Sequence, residues 1–231
     1  MSLELKRFRK AFSNFELRAH FSVEDRERLV LRGPSGCGKT TLFRFIAGLD
    51  HSHRHSHSHR INGELWLDGR EITELAPEQR EIGVVFQEPI VFPALSLVEN
   101  AAFGLKVRGV PRAQRHEIVL PWLRRVGLGE RLDVEPDQLS GGEKQRLSLV
   151  RAVVWKPKAL LLDEPFSALD PGLRQELGEI VIELHQSLTV PLVLVTHDPQ
   201  EASRLGTREL DCQILDGPAG SHHRIHEWVV Q

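Results

Sequence analysis

A chain of 231 residues has room for one large domain, or a core with a subdomain, and none for a second domain of equal size. Hydrophobic residues at 40% and charged residues at 27% are the values of a globular chain, not of a disordered or membrane-embedded one, and a net charge of −2 lacks the basic footprint of a nucleic-acid binder. Two cysteines are too few for a disulfide scaffold, no apolar run approaches the ~18 residues of a membrane span, and the first ten residues lack a signal-peptide core, so the expectation is a cytosolic chain.

The first informative element is a short apolar strand, Arg28 to Gly33, that runs into Gly33-Pro34-Ser35-Gly36-Cys37-Gly38-Lys39-Thr40. This matches G-x-x-x-x-G-K-[ST], a loop whose backbone N–H groups wrap a polyphosphate while Lys reaches the terminal phosphates and Thr reaches Mg²⁺. Leu42, Phe45, Ile46 and Leu49 then fall at i, i+3, i+4 and i+7, the apolar face of a helix that opens on the loop. A chance Gly-rich turn is the competing reading, and the strand-loop-helix context argues against it. Lys39, with the backbone of Gly36, Cys37, Gly38, Thr40 and Thr41, is the expected phosphate cradle. Arg32 places a charge where an apolar residue is expected. Cys37 reads as a small loop residue or as a source of thiol sensitivity.

Five alternating histidines follow, His51, His53, His55, His57 and His59, inside the segment 51–60. Such a tract can ligate Zn²⁺, Ni²⁺ or Cu²⁺, or it is a solvated insertion; His222, His223 and His226 add slight support to the metal reading. Residues 64–69 alternate like a half-buried strand, and 82–86 form a second short apolar strand before Gln87. From 88 to 155 the pattern is helical, broken at Pro93, at Gly109-Val110-Pro111 and at Gly127-Leu128-Gly129. Ile90, Val91, Phe92, Leu95 and Leu97 in this stretch suit either core packing or a docking seat. Leu139 to Arg146 opens a helix with Ser140, Gly141 and Gly142 at its N-terminus, a second candidate anion site.

Continuous apolar runs return at 159–163 and 192–196, as in strands covered on both faces, with a helix from about Pro171 to Ser187 between them. Asp163 closes the first run and Glu164 follows. Beside a phosphate loop the pair reads as a metal-holding carboxylate and a base; alone it would read as a cap. His197 directly follows the second run, at the strand end where open α/β sheets bind ligands. After Arg204 the strand pattern is blurred by Gly206, Gly217, Pro218 and Gly220. The expected architecture is one α/β domain, with a core of 1–87 and 156–231 interrupted by a helical subdomain at 88–155.

Leu139-Ser140-Gly141-Gly142-Glu143-Lys144-Gln145-Arg146, together with the phosphate loop and Asp163-Glu164, resembles the signature set of ATP-binding-cassette (ABC) ATPases. The resemblance runs from about Phe12 to His197. It implies a P-loop NTPase core of mainly parallel sheet flanked by helices, a small antiparallel β subdomain, and hydrolysis of ATP with Mg²⁺. In the family's pattern Glu164 is the general base and Asp163 holds Mg²⁺ through water. Gln87 matches the glutamine that contacts Mg²⁺ and the attacking water, and His197 matches the switch histidine at the γ-phosphate. Ser167-Ala168-Leu169-Asp170 matches the loop that crosses a dimer interface. Phe12 stands where the family places an adenine-stacking Tyr, Phe15 is an alternative, and this chain has no Tyr at all.

The same resemblance implies a head-to-tail homodimer in which Ser140, Gly141 and Gly142 of one subunit bind the γ-phosphate held by the other. Residues 77–87 and 91–100 are most similar to importer ATPases for sugars, polyamines, thiamine, iron or oxyanions. They imply an integral-membrane permease partner, a separate solute-binding protein and a place on the cytoplasmic face of the membrane. The near-neutral charge argues against a nucleic-acid partner, and relatives that carry a C-terminal regulatory domain extend much further, so regulation in cis is not expected. Two other classes compete. A soluble ABC ATPase acting on DNA or ribosomes would carry coiled-coil insertions or tandem cassettes, neither of which is present. A metal-responsive ATPase would work through the histidine tract.

Overall fold

A computed structural model describes residues 1–50, 61–167, 169–216 and 224–230, so the tract from His51 to His59, with His222 and His223, lies outside the described residues. In chain order the strands are β1 (Ser2–Ala11), β2 (Phe15–Glu24), β3 (Arg28–Arg32), β4 (Ile61–Leu67), β5 (Arg70–Glu71), β6 (Ile82–Val85), β7 (Ala159–Asp163), β8 (Leu192–Val195), β9 (Arg208–Asp216) and β10 (Arg224–Val230). The helices are α1 (Lys39–Ala47), α2 (Leu97–Ala101), α3 (Phe103–Val107), α4 (Arg112–Arg125), α5 (Gly141–Val153), α6 (Pro171–Leu188) and α7 (Pro199–Leu205). They fall into two compact units, Met1–Ile82 with Val190–Gln231, and Gly83–Thr189.

In the first unit the strands lie in the order β5-β4-β1-β2-β10-β9-β3-β8. β5, β4, β1 and β2 form an antiparallel ribbon, and β9, β3 and β8 are parallel. β10 joins the two by pairing parallel to β2 and antiparallel to β9. Every residue from Leu29 to Leu31 and from Leu192 to Val195 is buried, as the continuous apolar runs predict for strands covered on both faces.

Both ends of the chain are more regular than their sequences suggest. In β1, Leu3, Leu5 and Phe8 are buried, but a bulge between Leu5 and Phe8, with Arg7 at φ 51°, moves the alternation by one residue and hides it among Lys6, Arg7, Arg9 and Lys10. The blurred pattern after Arg204 is in fact two long strands. β9 fully buries only Leu210 and leaves Ile214 and Leu215 exposed, so it has no period to read; backbone pairing to β3 and β10 on its two sides holds it instead.

Helix α1 turns Leu42, Phe43, Phe45 and Ile46 into the core, with Phe45 edge-on to Phe8 of β1 at 4.8 Å. Each such burial contributes roughly 1.5–3 kcal/mol. Leu49, expected on the helical face, lies beyond the helix: Gly48, at φ 78°, donates to the Phe45 carbonyl and Leu49 to that of Arg44, the two bonds of a Schellman stop. Arg80, buried, closes the same end. Its Nη1 donates to the carbonyls of Phe45 (2.6 Å) and Ile46 (3.0 Å), its Nε to Leu75 (2.9 Å) and its Nη2 to Thr73. A Cβ on Gly48 would meet Arg80 Nε at 2.6 Å. Arg80→Met, which strands these carbonyls, is expected to lower unfolding free energy by about 3 kcal/mol, read by urea denaturation.

In the second unit β6 neighbours β7, and α5 packs against α2, α4 and α6. A Cβ on Gly83 would sit 2.5 Å from the Ala152 carbonyl, so β6 lies hard against the end of α5. Asn100, fully buried, ties down the loop before α2: its Nδ2 donates to the carbonyls of Phe92, Leu95 and Ser96, and its Oδ1 accepts the Phe92 N–H. Leu97, one of the five residues expected at a docking seat, is 0% exposed and belongs to the core, whereas Ile90 is 54% exposed.

Candidate active site

The loop between β3 and α1 closes on itself. Lys39 Nζ donates to the carbonyls of Gly33 (2.7 Å) and Pro34 (3.1 Å), and the Cys37 N–H donates to Pro34 (3.3 Å). Gly38, at φ 107°, opens α1 without a side-chain cap, and a Cβ there would meet Leu17 Cδ2 at 2.6 Å. Glycine is thus required both by backbone conformation and by the packing of β2. The first amides of α1 have no partner within the helix and carry its positive dipole end, which suits a polyphosphate.

Gly33, Pro34 and Ser35 line a cavity of 470 Å³ with His197, Arg32, Asp211 and Cys212. The turn that carries His197 is held by its neighbours: Thr196 Oγ1 donates to Glu201 (2.7 Å) and accepts the Asp198 N–H (3.0 Å), and Asp198 caps α7. Arg32, unexplained in the sequence, is opposite Asp211 in the β3–β9 register and binds it bidentately (3.0 and 3.1 Å), with Glu209 at 3.4 Å. Asp211 raises the Arg32 pKa further above its ordinary value. Two charges thus face each other where an apolar pair is expected.

In the second unit, Gln87 is exposed just after β6, and Asp163 ends β7. Glu164 takes φ 40°, an uncommon conformation for a residue with a side chain, and its carbonyl accepts the Ser167 N–H (3.3 Å) and hydroxyl (3.1 Å). Asp170 caps α6 by accepting the Leu173 N–H. Ser140 and Glu143 form a capping box at α5: the Glu143 carboxylate accepts the Ser140 N–H and hydroxyl, both at 2.9 Å, and Ser140 Oγ accepts the Glu143 N–H. The two signature glycines differ. A Cβ on Gly142 would meet Leu173 Cδ2 at 2.3 Å, while one on Gly141 would meet nothing within 4 Å.

A family model described as ABC transporter matches residues 17–167, well over half of the chain. The chain belongs to the ABC transporter family. It is 40% identical over 208 residues to a spermidine/putrescine import ATP-binding protein of Mannheimia succiniciproducens, an alignment covering 89% of this chain and 54% of the relative. It is 41% identical over 202 residues to an Fe(3+) ions import ATP-binding protein of Photorhabdus laumondii, covering 87% and 55%. A probable sulfate/thiosulfate import ATP-binding protein of Chlorella vulgaris is 39% identical over 207 residues, covering 89% and 84%. The chain spans about half the length of the first two.

Within this ABC transporter domain the candidate base stackers form one pile of rings. Phe15 lies between Phe12 (centroids 4.4 Å apart, 13°) and His226 (4.1 Å, 19°), so Phe12 is the outer ring, with Lys10 Nζ 5.4 Å from its centre. His226, which the sequence offers as slight support for a metal site, is a buried member of this stack. The first unit brings together Gly33, Pro34, Ser35 and His197. Arg32, Asp211 and Cys212 join them through strand pairing, and only the charge on Arg32 hinted at it.

The capping box of the ABC signature helix is sensitive to acid. The Ser140 N–H first, then the Ser140 hydroxyl and the Arg131 and Arg146 guanidiniums, hold Glu143 below the usual carboxylate range. Because its folded pKa is depressed, its contribution is present above the ordinary carboxylate pKa and lost as pH falls through the folded one. Glu143→Ala is therefore expected to melt a few degrees below wild type at pH 7, with the gap shrinking below about pH 4, as thermal unfolding followed by circular dichroism would read.

Proposed function

We propose that this chain is the ATP-hydrolysing subunit of an ABC importer and works as a head-to-tail homodimer closed by ATP. The reading rests first on the signature turn. Gly142 is packed against α6, whereas Gly141 presents open backbone at the N-terminus of α5. An anion site with no packing reason for its outer glycine suits a γ-phosphate held by a second copy. The phosphate loop of the first unit supplies the other half: Lys39 and the α1 amides for the phosphates, His197 beside them, and Phe12 for adenine. Thr40 in the first unit, and Asp163 and Gln87 in the second, each carry a hard oxygen donor of the kind Mg²⁺ prefers, and we assign Glu164 as the base for the attacking water.

Relatives named as import ATP-binding proteins favour an importer over soluble work on DNA or ribosomes. No helix among the described residues is long and apolar enough to cross a membrane. A separate permease then supplies the channel, with a solute-binding protein beyond it and this chain on the cytoplasmic face. Ile90 and Val107, 54% and 61% exposed in the second unit, suit the seat of that permease.

Gly141→Ala and Gly142→Ala test the dimer. A methyl at 141 meets no atom, so G141A is expected to keep wild-type stability and ATP binding as a monomer, but to lose ATP-dependent dimerisation in sedimentation runs and at least tenfold of its turnover. G142A is expected to lose stability through its collision with Leu173. If G141A dimerised with ATP as wild type does, the trans role of the signature turn would be wrong.

A further inference from the structure

Cys37 and Cys212 are the only cysteines of the chain, and they lie 175 residues apart. The fold brings them together at one point. The β3–β9 register that sets Arg32 against Asp211 carries Cys212 alongside Gly33, and a Cβ built on Gly33 would stand 2.8 Å from Cys37 Sγ and 2.9 Å from Cys212 Cβ. The missing side chain of Gly33 therefore leaves the space that Cys37 Sγ and Cys212 Cβ share. Cys212 Sγ also donates to the Cys37 carbonyl at 3.6 Å, and both thiols are free.

We infer that Cys37 and Cys212 form an oxidisable dithiol whose conversion to an intrachain disulfide by a hydroperoxide shuts the phosphate loop against nucleotide. Cys37 is itself only 1% exposed, so the oxidant reaches it past Cys212, which lines the cavity beside the loop. Cys37 is the better nucleophile. A hydrogen bond from Cys212, the Lys39 ammonium and the Lys39 N–H bring its pKa down to about 7 against the effect of burial, while the Cys212 thiol is pushed up by the same pairing and by burial. The Cys37 thiolate attacks one peroxide oxygen, the O–O bond breaks, and the other oxygen leaves as the alcohol, or as water from hydrogen peroxide, after taking a proton. Cys212 sulfur then displaces the sulfenic oxygen from Cys37 as water, losing its own proton to it. Two thiols and one peroxide yield one disulfide, one water and one alcohol.

The consequence follows from the geometry of the loop. A disulfide holds two Cα atoms within roughly 4.4–6.8 Å. It would tie Cys37 to β9 while the Cys37 N–H faces the Pro34 carbonyl and Lys39 is bound to the Gly33 and Pro34 carbonyls. Taking up phosphate requires that N–H and that ammonium to turn outward, and a residue anchored to β9 cannot follow. This last step rests on the nucleotide reading above; formation of the bond does not.

The test uses the full chain, reduced and then treated with a slight excess of hydrogen peroxide. Non-reducing peptide mass mapping reads the cross-link, and equilibrium dialysis reads ATP binding. The expected result is one Cys37–Cys212 peptide, lighter by two hydrogens than the two thiol peptides, in monomeric protein, with ATP affinity reduced at least tenfold and restored by dithiothreitol. Cys212→Ser, compared with its own reduced form, is expected to form no cross-link and to yield a dimedone adduct on Cys37. Oxidation that left the two cysteines unlinked, linked them between chains, or linked them without weakening ATP binding would overturn the inference. Failure of the reduced wild type to bind ATP, with the cross-link still forming, would instead count against the nucleotide reading.

Discussion

Replacing Glu164 by Gln is expected to leave ATP binding within about twofold of wild type and to cut phosphate release by two to three orders of magnitude, the usual range for loss of a positioned base. The substitution preserves shape, exchanges one acceptor oxygen for an NH2 donor and removes the ability to accept a proton from water. Turnover equal to wild type would remove Glu164 from its role. Backbone conformation supplies a second arm. At φ 40°, with its carbonyl held by the Ser167 N–H and hydroxyl, Glu164 occupies a region where a side chain costs free energy. Glu164→Gly is expected to be as inactive as the Gln variant yet more stable by on the order of 1 kcal/mol in urea denaturation. A strained residue whose removal stabilises the fold and stops the chemistry is one retained for function.

Lys39→Ala should weaken ATP binding itself by 30- to 100-fold, about 2–3 kcal/mol, as isothermal titration would measure. Lys39 is only 8% exposed, and its ammonium holds the two loop carbonyls until a phosphate takes it over. Its loss removes both the tie that shapes the loop and the charge that meets the phosphates. The contrast with Glu164 is the informative part: one variant fails at binding, the other only at turnover. An unchanged dissociation constant for Lys39→Ala would mean that the loop holds nucleotide by backbone amides alone.

Strong local periodicity made some elements legible in advance. The apolar runs before Asp163 and before His197 stand in the structure as buried strands, and the helix after the phosphate loop begins at Lys39. Its end is not legible from spacing, because Leu49 keeps the helical period although Gly48 reverses the chain one residue earlier. Long-range pairing was not legible. β1 hides its period behind a bulge, and β9 has none, so both are set by neighbours distant in the chain.

By itself the sequence determined the family and the chemistry on offer, because G-x-x-x-x-G-K-T, L-S-G-G and Asp163-Glu164 are local motifs whose backbone and side-chain requirements lie within a few residues. Tertiary structure alone decided which residues share a neighbourhood. Arg32 acquires Asp211, and Cys37 acquires Cys212, only when β3 pairs with β9. Phe15 takes His226 as a stacking partner only when β2 pairs with β10. Strand register acts across nearly two hundred residues of chain, and no spacing rule within a motif encodes it.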